Sequence, residues 1–197
     1  MKAKIINTAT DLFLNFGFKS VTMDDIANQL GISKKTIYVY FENKKKLVRA
    51  IDKCLFKKIT DGIKEIKKKS SDPISELYEI KFYLMRSLKG EKVSPYYQLK
   101  KYYPSIFKDL KKSKFEFIIK SSRESLKKGI SQGLFRKSIN IDLISRLYFN
   151  ASLGLKDPEV FSKEIFDPEI LMENYLEYHL RAIVTEKGLK KLKNRFN

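Results

Sequence analysis

The chain has 197 residues and a mass of 23.1 kDa, which is enough for one domain with a core or for a small domain joined to a larger one. Its hydrophobic content of 43% predicts a globular fold instead of a disordered chain. The single cysteine, Cys54, excludes a disulfide framework, and one cysteine with one histidine, His179, gives too few ligands to indicate a zinc site.

The net charge of +18 indicates a polyanionic partner, although 34 of the 41 basic residues are lysines, an excess that codon composition alone can produce. Residues 1–69 hold 16 basic and 7 acidic side chains, whereas residues 72–197 hold 25 and 16. Both parts have the same net charge, so the first third of the chain has about twice the charge density of the rest. This distribution favours a nucleic acid as the partner.

The N-terminal stretch has the features of a helix and not of a targeting segment. Residues 2–14 begin with positive charge but are interrupted by the polar residues Asn7 and Asp11, and no run of about eighteen apolar residues occurs in the chain. We therefore expect a cytoplasmic protein that does not span a membrane. An apolar stripe predicts an amphipathic helix over Ala3–Phe16, ended by Gly17, with an inner face that consists of Ile5, Ala9, Leu12, Phe13 and Phe16.

The stretch from Thr22 to Leu47 predicts two short helices joined by a glycine turn. Thr22 is placed to cap the first helix, and Gly31 supplies a left-handed conformation that a residue with a Cβ resists. Ser33 is placed to cap the second helix. This arrangement is typical of a helix-turn-helix at about residues 23–41, with its recognition helix second. The alternative interpretation is an ordinary corner between two helices whose lysines are only solvated, because such a corner has the same spacing.

The second short helix directs cations and hydroxyl groups outward. Lys34 and Lys35 are candidates for contacts with base edges, because lysine suits the O6 and N7 acceptors of guanine. Val39 can offer only an apolar contact, for example with a thymine methyl group. The hydroxyl groups that can donate to phosphate oxygens belong to Ser33, Thr36, Tyr38 and Tyr40.

A long helix should follow, from its N-cap Asn43 to about Lys69. Its first turn contains Lys44, Lys45 and Lys46, where cations oppose the helix dipole. That placement costs stability but suits contact with a phosphate, so these three lysines join the candidate DNA-binding residues. Beyond this helix, the sequence predicts helices over residues 74–88, 95–104, 106–133, 140–155 and 168–185, a loop over residues 90–95, and a frayed basic tail over residues 188–197.

Residues 5–47 resemble the N-terminal domain of the TetR family of bacterial transcriptional regulators. The positions that carry the resemblance are Ile5, Ala9, Leu12, Phe13, Phe16, Gly17, Val21, Thr22, Ile26, Ala27, Gly31, Ser33, Thr36, Tyr38, Tyr40, Phe41, Asn43, Lys44 and Leu47. The phosphate-contacting positions that the resemblance implies are Thr22, Tyr38, Tyr40 and Lys44. The family usually has a small residue where Lys35 stands and a larger polar or aromatic one where Val39 stands, so the chain departs from the family pattern at these two positions.

The resemblance also implies an effector pocket and a dimer. The short helix over residues 95–104 would lie beside the pocket, whose candidate lining residues are Tyr96, Tyr97, Tyr103, Phe115, Ile119 and Ser122. An aromatic and aliphatic stripe of this spacing is, however, more often plain core. The last two helices would form a four-helix bundle with those of a second subunit, and the candidate interface residues are Leu143, Leu147, Ala151, Leu171, Tyr175, Tyr178 and Ala182.

We therefore expect an all-α fold, with a three-helix helix-turn-helix DNA-binding domain in residues 1–48 and a larger effector-binding and dimerisation domain in residues 49–197. The expected function is a homodimeric repressor that binds a palindromic operator in double-stranded DNA and is released by an unknown small-molecule effector. The alternative is a DNA-binding regulator without an effector, controlled by a protein partner or constitutive. No nucleophile, metal or membrane-anchoring motif supports an enzyme or a membrane-surface protein, so we expect no catalytic residues and no cofactor.

Overall fold

The computed structural model describes residues 1–87, 95–162 and 164–193, and these residues form ten helices and an isolated antiparallel bridge between Phe135 and Val184. In chain order the helices are α1 (Lys2–Phe16), α2 (Met23–Leu30), α3 (Lys34–Tyr40), α4 (Lys44–Lys69), α5 (Pro73–Ser87), α6 (Pro95–Tyr102), α7 (Pro104–Ser131), α8 (Ile141–Gly154), α9 (Pro168–Arg181) and α10 (Glu186–Lys193). The all-α fold class is confirmed.

Polar caps and helix breakers set most helix ends close to their predicted positions. The Asn140 side chain accepts a hydrogen bond from the Leu143 N–H at 3.0 Å and starts α8. Asp167 does the same for α9, where it accepts from the Ile170 N–H at 3.0 Å. After α7, Gly133 has a φ of 69°, the left-handed conformation in which glycine is favoured.

The chain divides into two compact units. The first contains Met1–Ile59 and Leu88–Lys112, and therefore α1 to α3, the first part of α4, α6 and the first part of α7. Its core also includes residues from beyond the predicted boundary at residue 48, so the compact unit is larger than the predicted DNA-binding domain. The core residues that lie beyond this boundary are Ile51, Leu99, Ile106 and Leu110.

The second unit contains Thr60–Ser87 and Ser113–Asn197. Its apolar core includes Ile74, Leu126, Phe135, Leu176, Leu180, Ile183 and Leu192. A buried polar network lies in the same unit. The Lys67 ammonium donates to the Ser125 hydroxyl at 3.0 Å, the Ser125 hydroxyl donates to the carboxylate of Glu76, and Glu76 is only 1% exposed. The network therefore pairs a buried carboxylate with a cation and a hydroxyl, as burial of charge requires.

Two expectations from the sequence are wrong. Phe16 was expected on the inner face of α1, but its side chain is 61% exposed at the end of the helix. The basic tail was expected to fray, but Glu186–Lys193 form α10, and Leu192 is completely buried. Residues 194–197 of that tail, and residues 90–94 of the expected loop, lie outside the described residues.

Within the described ranges, no helix is both long and apolar enough to cross a membrane. The same residues contain no group of three or more histidine, cysteine or acidic side chains arranged to hold a metal ion.

Candidate nucleic-acid interface

The turn between α1 and α2 is held in place by α6, which belongs to the same compact unit. The Phe18 N–H donates to the side-chain oxygen of Gln98 at 2.5 Å, and the Phe18 and Tyr103 ring centroids are 5.9 Å apart. Gly17 has a φ of 86°, and a Cβ added there would overlap the Gln98 amide. The positive φ favours glycine at this corner, and the Gln98 side chain packs directly against it.

The start of α2 is a reciprocal capping box. The Thr22 hydroxyl accepts from the Asp25 N–H at 3.1 Å, and the Asp25 carboxylate accepts from the Thr22 N–H at 2.7 Å. The hydrogen bond from the Thr22 backbone lowers the pKa of Asp25 below its usual value. The Thr22 cap was predicted from the sequence, but the return bond from Asp25 was not, and a Thr-x-x-Asp spacing could have indicated it.

The turn from α2 to α3 fixes the angle of the second short helix. Gly31 adopts the left-handed conformation with a φ of 62°, and the Ile32 N–H donates back to the Ala27 carbonyl at 3.1 Å. The Ser33 hydroxyl then caps α3 by accepting from the Thr36 N–H at 3.1 Å. Gly31 and Ser33 thus have the conformations that the sequence predicted.

α3 has one buried residue and a broad exposed face. Ile37 is completely buried in the core of the first unit, whereas Val39 is 75% exposed, Tyr38 43% and Tyr40 40%. Lys35 is exposed as well. Large apolar and aromatic side chains on the outer face of a seven-residue helix add nothing to the core, so their placement favours contact with another molecule.

Lys34 differs from its neighbour because it is paired within the chain. Its ammonium lies 2.6 Å from the Asp24 carboxylate, in the first turn of α2, and this hydrogen bond raises the pKa of Lys34. Both side chains are exposed, so the pair is weak and can be exchanged for other partners. The sequence predicted Lys34 as a base-contacting residue and did not predict its pairing with Asp24.

The start of α4 carries three lysines in two different environments. The Asn43 side chain accepts from the Lys46 N–H at 2.9 Å, which confirms the predicted cap. Lys44 is half-buried with its ammonium 5.7 Å from the centre of the Phe13 ring, and burial lowers its pKa. Lys45 and Lys46 are exposed to solvent. Lys45 and Lys46 can therefore reach a phosphate more directly than Lys44 can.

The predicted pocket residues are divided between the two units. Tyr97 and Tyr103 belong to the first unit, and Phe115, Ile119 and Ser122 belong to the second, while the side chain of Tyr96 lies outside the described residues. Within the second unit, an open surface depression of about 400 Å³ is lined only by residues of α7, namely Phe115, Glu116, Ile119, Lys120, Arg123, Glu124 and Lys127. A common pocket for the six predicted residues remains a prediction.

The predicted dimer residues include several large side chains that the single chain leaves exposed. Tyr178 is 73% exposed, Leu147 54% and Leu143 52%. Ala182 is also exposed, whereas Ala151, Leu171 and Tyr175 are half-buried. The helices α8 and α9 contact each other, since the centroid of the Tyr148 ring lies 5.1 Å from that of His179 and 6.3 Å from that of Tyr175. The predicted interface residues of the two helices therefore belong to one region of the second unit.

Comparison with known proteins agrees with this geometry. Residues 5–51 match the family model described as bacterial regulatory proteins of the tetR family. The chain is 33% identical over 99 residues to the Staphylococcus aureus protein named biofilm operon icaADBC HTH-type negative transcriptional regulator IcaR, and this match covers 50% of the chain and 53% of that protein. In its N-terminal region, residues 5–51, the chain is a member of the TetR family. It spans about half the length of the curated relatives that it matches first.

A second curated protein and a solved structure are also similar to the chain. The chain is 37% identical over 71 residues to the uncharacterised HTH-type transcriptional regulator YhgD of Bacillus subtilis, which covers 36% of the chain and 34% of that protein. Among solved structures, a TetR-family transcriptional regulator from Agrobacterium tumefaciens superimposes with a TM-score of 0.75 at 18% identity, and covers 93% of this chain and 97% of the other. At that identity the likeness shows the fold alone, over nearly the whole length of the chain.

Proposed function

We propose that this TetR-family chain is a transcriptional repressor that binds a palindromic operator in double-stranded DNA as a homodimer. The observation that carries the proposal is the outer face of α3, where Tyr38, Val39 and Tyr40 are exposed beside Lys35. A helix that follows a helix-turn-helix corner and presents cationic, hydroxyl and apolar groups has the chemistry that the major groove requires. The similar protein IcaR is named a negative transcriptional regulator, which supports repression instead of activation.

The dimer is part of the proposal because one recognition helix reaches only one half-site. Two DNA-binding domains, spaced about one duplex turn apart, are needed to recognise a palindrome specifically. The exposed apolar side chains of α8 and α9 support an interface there, since a monomer gains nothing from exposing Leu143, Leu147 and Tyr178. The predicted division into a DNA-binding domain and a dimerisation domain fits this assignment.

We further infer that a small molecule bound in the second domain releases the operator. The finding that supports it is limited to the depression on α7, where the apolar side chains of Phe115 and Ile119 lie among charged ones. This mixture suits a small amphipathic ligand better than a purely lipophilic one. The alternative, regulation without an effector, predicts that no compound in a screen of such ligands changes the affinity for the operator, whereas the proposal predicts at least one that lowers it.

The experiment that tests DNA binding is selection of duplexes from a randomised library by the full chain, followed by measurement of Kd against salt concentration. We expect enrichment of one palindromic sequence. Replacement of the exposed Lys45 by alanine should weaken binding to all duplexes alike and reduce the slope of log K against log salt by about 0.9, the contribution of one lost phosphate contact. A matched control is Lys190→Ala, which removes an exposed lysine from α10.

The control is expected to leave the slope unchanged, because α10 is not part of the candidate interface. Failure to enrich any duplex would contradict the proposed function. Enrichment with equal slopes in the wild type and both variants would keep the function but show that the start of α4 does not contact phosphate.

A further inference from the structure

The exposed face of α3 has a centre and two flanks. At 100° per residue, Lys35 and Val39 lie one turn apart on the same side of the helix, and each is two residues from Ile37. Ile37 is completely buried, so the line through Lys35 and Val39 points directly away from the core. Tyr38 and Lys34 lie on one side of this line, and Tyr40 and Thr36 lie on the other.

Val39 stands out at this centre. Its side chain is 75% exposed, the largest value for a large hydrophobic residue among the described residues of the first unit. A branched apolar side chain gains nothing from water, and it also loses rotamer freedom in a helix. The valine adds nothing to the core of the unit, and contact with an apolar group on a partner would remove its side chain from water.

Lys34 lies beside the line of Lys35 and Val39, and its side chain is paired with a residue of α2. Its ammonium is 2.6 Å from the Asp24 carboxylate, so it points towards the side of the helix-turn-helix and away from the line of Lys35 and Val39. Because both side chains are exposed, this ammonium can exchange Asp24 for a nearby phosphate oxygen of the DNA. Its effect on binding is then independent of the base sequence.

We propose that Lys35 and Val39 alone form the base-reading edge of α3, that Lys35 binds a guanine, and that Val39 contacts the methyl group of a thymine. This proposal rests on the proposed function. Residues four apart on a helix are separated by about 5–6 Å at their Cβ atoms, and base pairs are stacked about 3.4 Å apart. Each operator half-site should therefore contain a guanine and a thymine within about two base steps, while Lys34 is a positioning residue that does not select bases.

The test uses the duplex that the wild-type chain selects from a randomised library, and copies of it in which each thymine in turn is replaced by 2′-deoxyuridine. Loss of the methyl group at one position in each half-site should weaken binding of the wild type about fourfold, which is the change in affinity expected when one buried methyl group is removed. The Val39→Ala chain should bind the thymine and uracil versions equally. Val160→Ala is the matched control, because Val160 is 64% exposed in the second unit, and it should keep the wild-type sensitivity.

Selections repeated with the lysine variants complete the test. Lys35→Ala should reduce the preference for guanine at one position by between about fivefold and about 150-fold. Lys34→Ala should select the same sequence as the wild type with uniformly lower affinity. The inference is overturned if the wild type tolerates uracil at every position, if Val39→Ala keeps the sensitivity, or if Lys34→Ala changes the selected sequence. If no duplex is enriched at all, the proposed function fails as well, so the two failures are distinguishable.

Discussion

The single histidine of the chain sits in an aromatic cluster of the second unit. The His179 imidazole lies 5.1 Å from the Tyr148 ring and is stacked 5.9 Å from the Tyr175 ring. Burial lowers the pKa of His179 to about 4 and raises the pKa of Tyr148 to about 12. All three side chains are therefore neutral at physiological pH, although each of them is only partly buried.

This lowered pKa predicts a loss of stability in mild acid. Below pH 6.5 the unfolded chain binds a proton at His179 that the native chain does not bind, so the free energy of unfolding falls as the pH falls towards 4. At pH 5 the loss relative to pH 7 should be about 2 kcal/mol. Urea unfolding at the two pH values, at equal protein concentration, measures it.

The control for this prediction is His179→Phe, which keeps a ring in the cluster and removes the titrating group. The variant should lose much less free energy of unfolding between pH 7 and pH 5 than the wild type does, because it has no imidazole that takes up a proton on unfolding. An equal loss in the variant and in the wild type would assign the acid sensitivity to other groups.

At the scale of the element, α10 shows how a basic segment can be part of a core. Leu192 is completely buried in the apolar core of the second unit, and the Lys191 ammonium lies 2.9 Å from the Asp72 carboxylate. The Thr185 hydroxyl caps the helix by accepting from the Gly188 N–H at 3.1 Å. The lysines between these contacts are exposed, which is why the segment looks like a solvated tail in the sequence.

Gly188 is the position in α10 where a small change should matter most. A Cβ added there would overlap the backbone carbonyl oxygen of Leu134, which cannot rotate away as a side chain could. We expect Gly188→Ala to cost about 2 kcal/mol of unfolding free energy, because overpacking outweighs the gain of about 1 kcal/mol that alanine brings to a helix. Denaturant unfolding measures the loss.

The matched control is Lys190→Ala on the exposed side of the same helix, which should change stability by less than about 0.5 kcal/mol. If Gly188→Ala were as stable as the wild type, α10 would not be packed against residue 134 in solution.

The helices were predictable from the sequence where local chemistry decides their ends. Thr22, Ser33, Asn43 and Asn140 each accept a backbone hydrogen bond as a helix cap, and these caps depend only on residues within a few positions. The exposure of Phe16 and the burial of Leu192 were not predictable, because they depend on which distant segment covers a face. Periodicity identifies an apolar stripe but not the neighbour that covers it.

The candidate site was predictable to a similar degree. The residue types on the outer face of α3 follow from a seven-residue helix with one inward position, Ile37. The pairing of Lys34 with Asp24 depends on the angle between two helices, and the placement of the Lys44 ammonium over Phe13 depends on a helix from another part of the sequence. Local spacing contains no information about either contact.

At the scale of the whole molecule, the exposed apolar face of α8 and α9 is the feature that a single chain leaves unexplained. Leu176 and Leu180 already direct one side of α9 into the core. Tyr178 lies on another side of the same helix and is 73% exposed. Two apolar sides on one helix need two neighbours, and in the proposed homodimer a second copy of the chain would supply the other one.

We therefore expect Tyr178→Glu to be a folded monomer, because a carboxylate in a desolvated interface has no partner and its burial costs several kcal/mol. A monomer carries one recognition helix, so it should lose specific binding to the palindrome and keep only weak, salt-sensitive binding to any duplex. Sedimentation velocity measures the assembly, and fluorescence anisotropy with the selected duplex measures the binding.

The matched control is Phe82→Glu. Phe82 lies on α5 in the same unit and is 45% exposed, so this variant should leave the dimer intact. An intact dimer in Tyr178→Glu would place the interface on another surface. A monomer that still bound the palindrome with wild-type affinity would show that specificity does not depend on two DNA-binding domains.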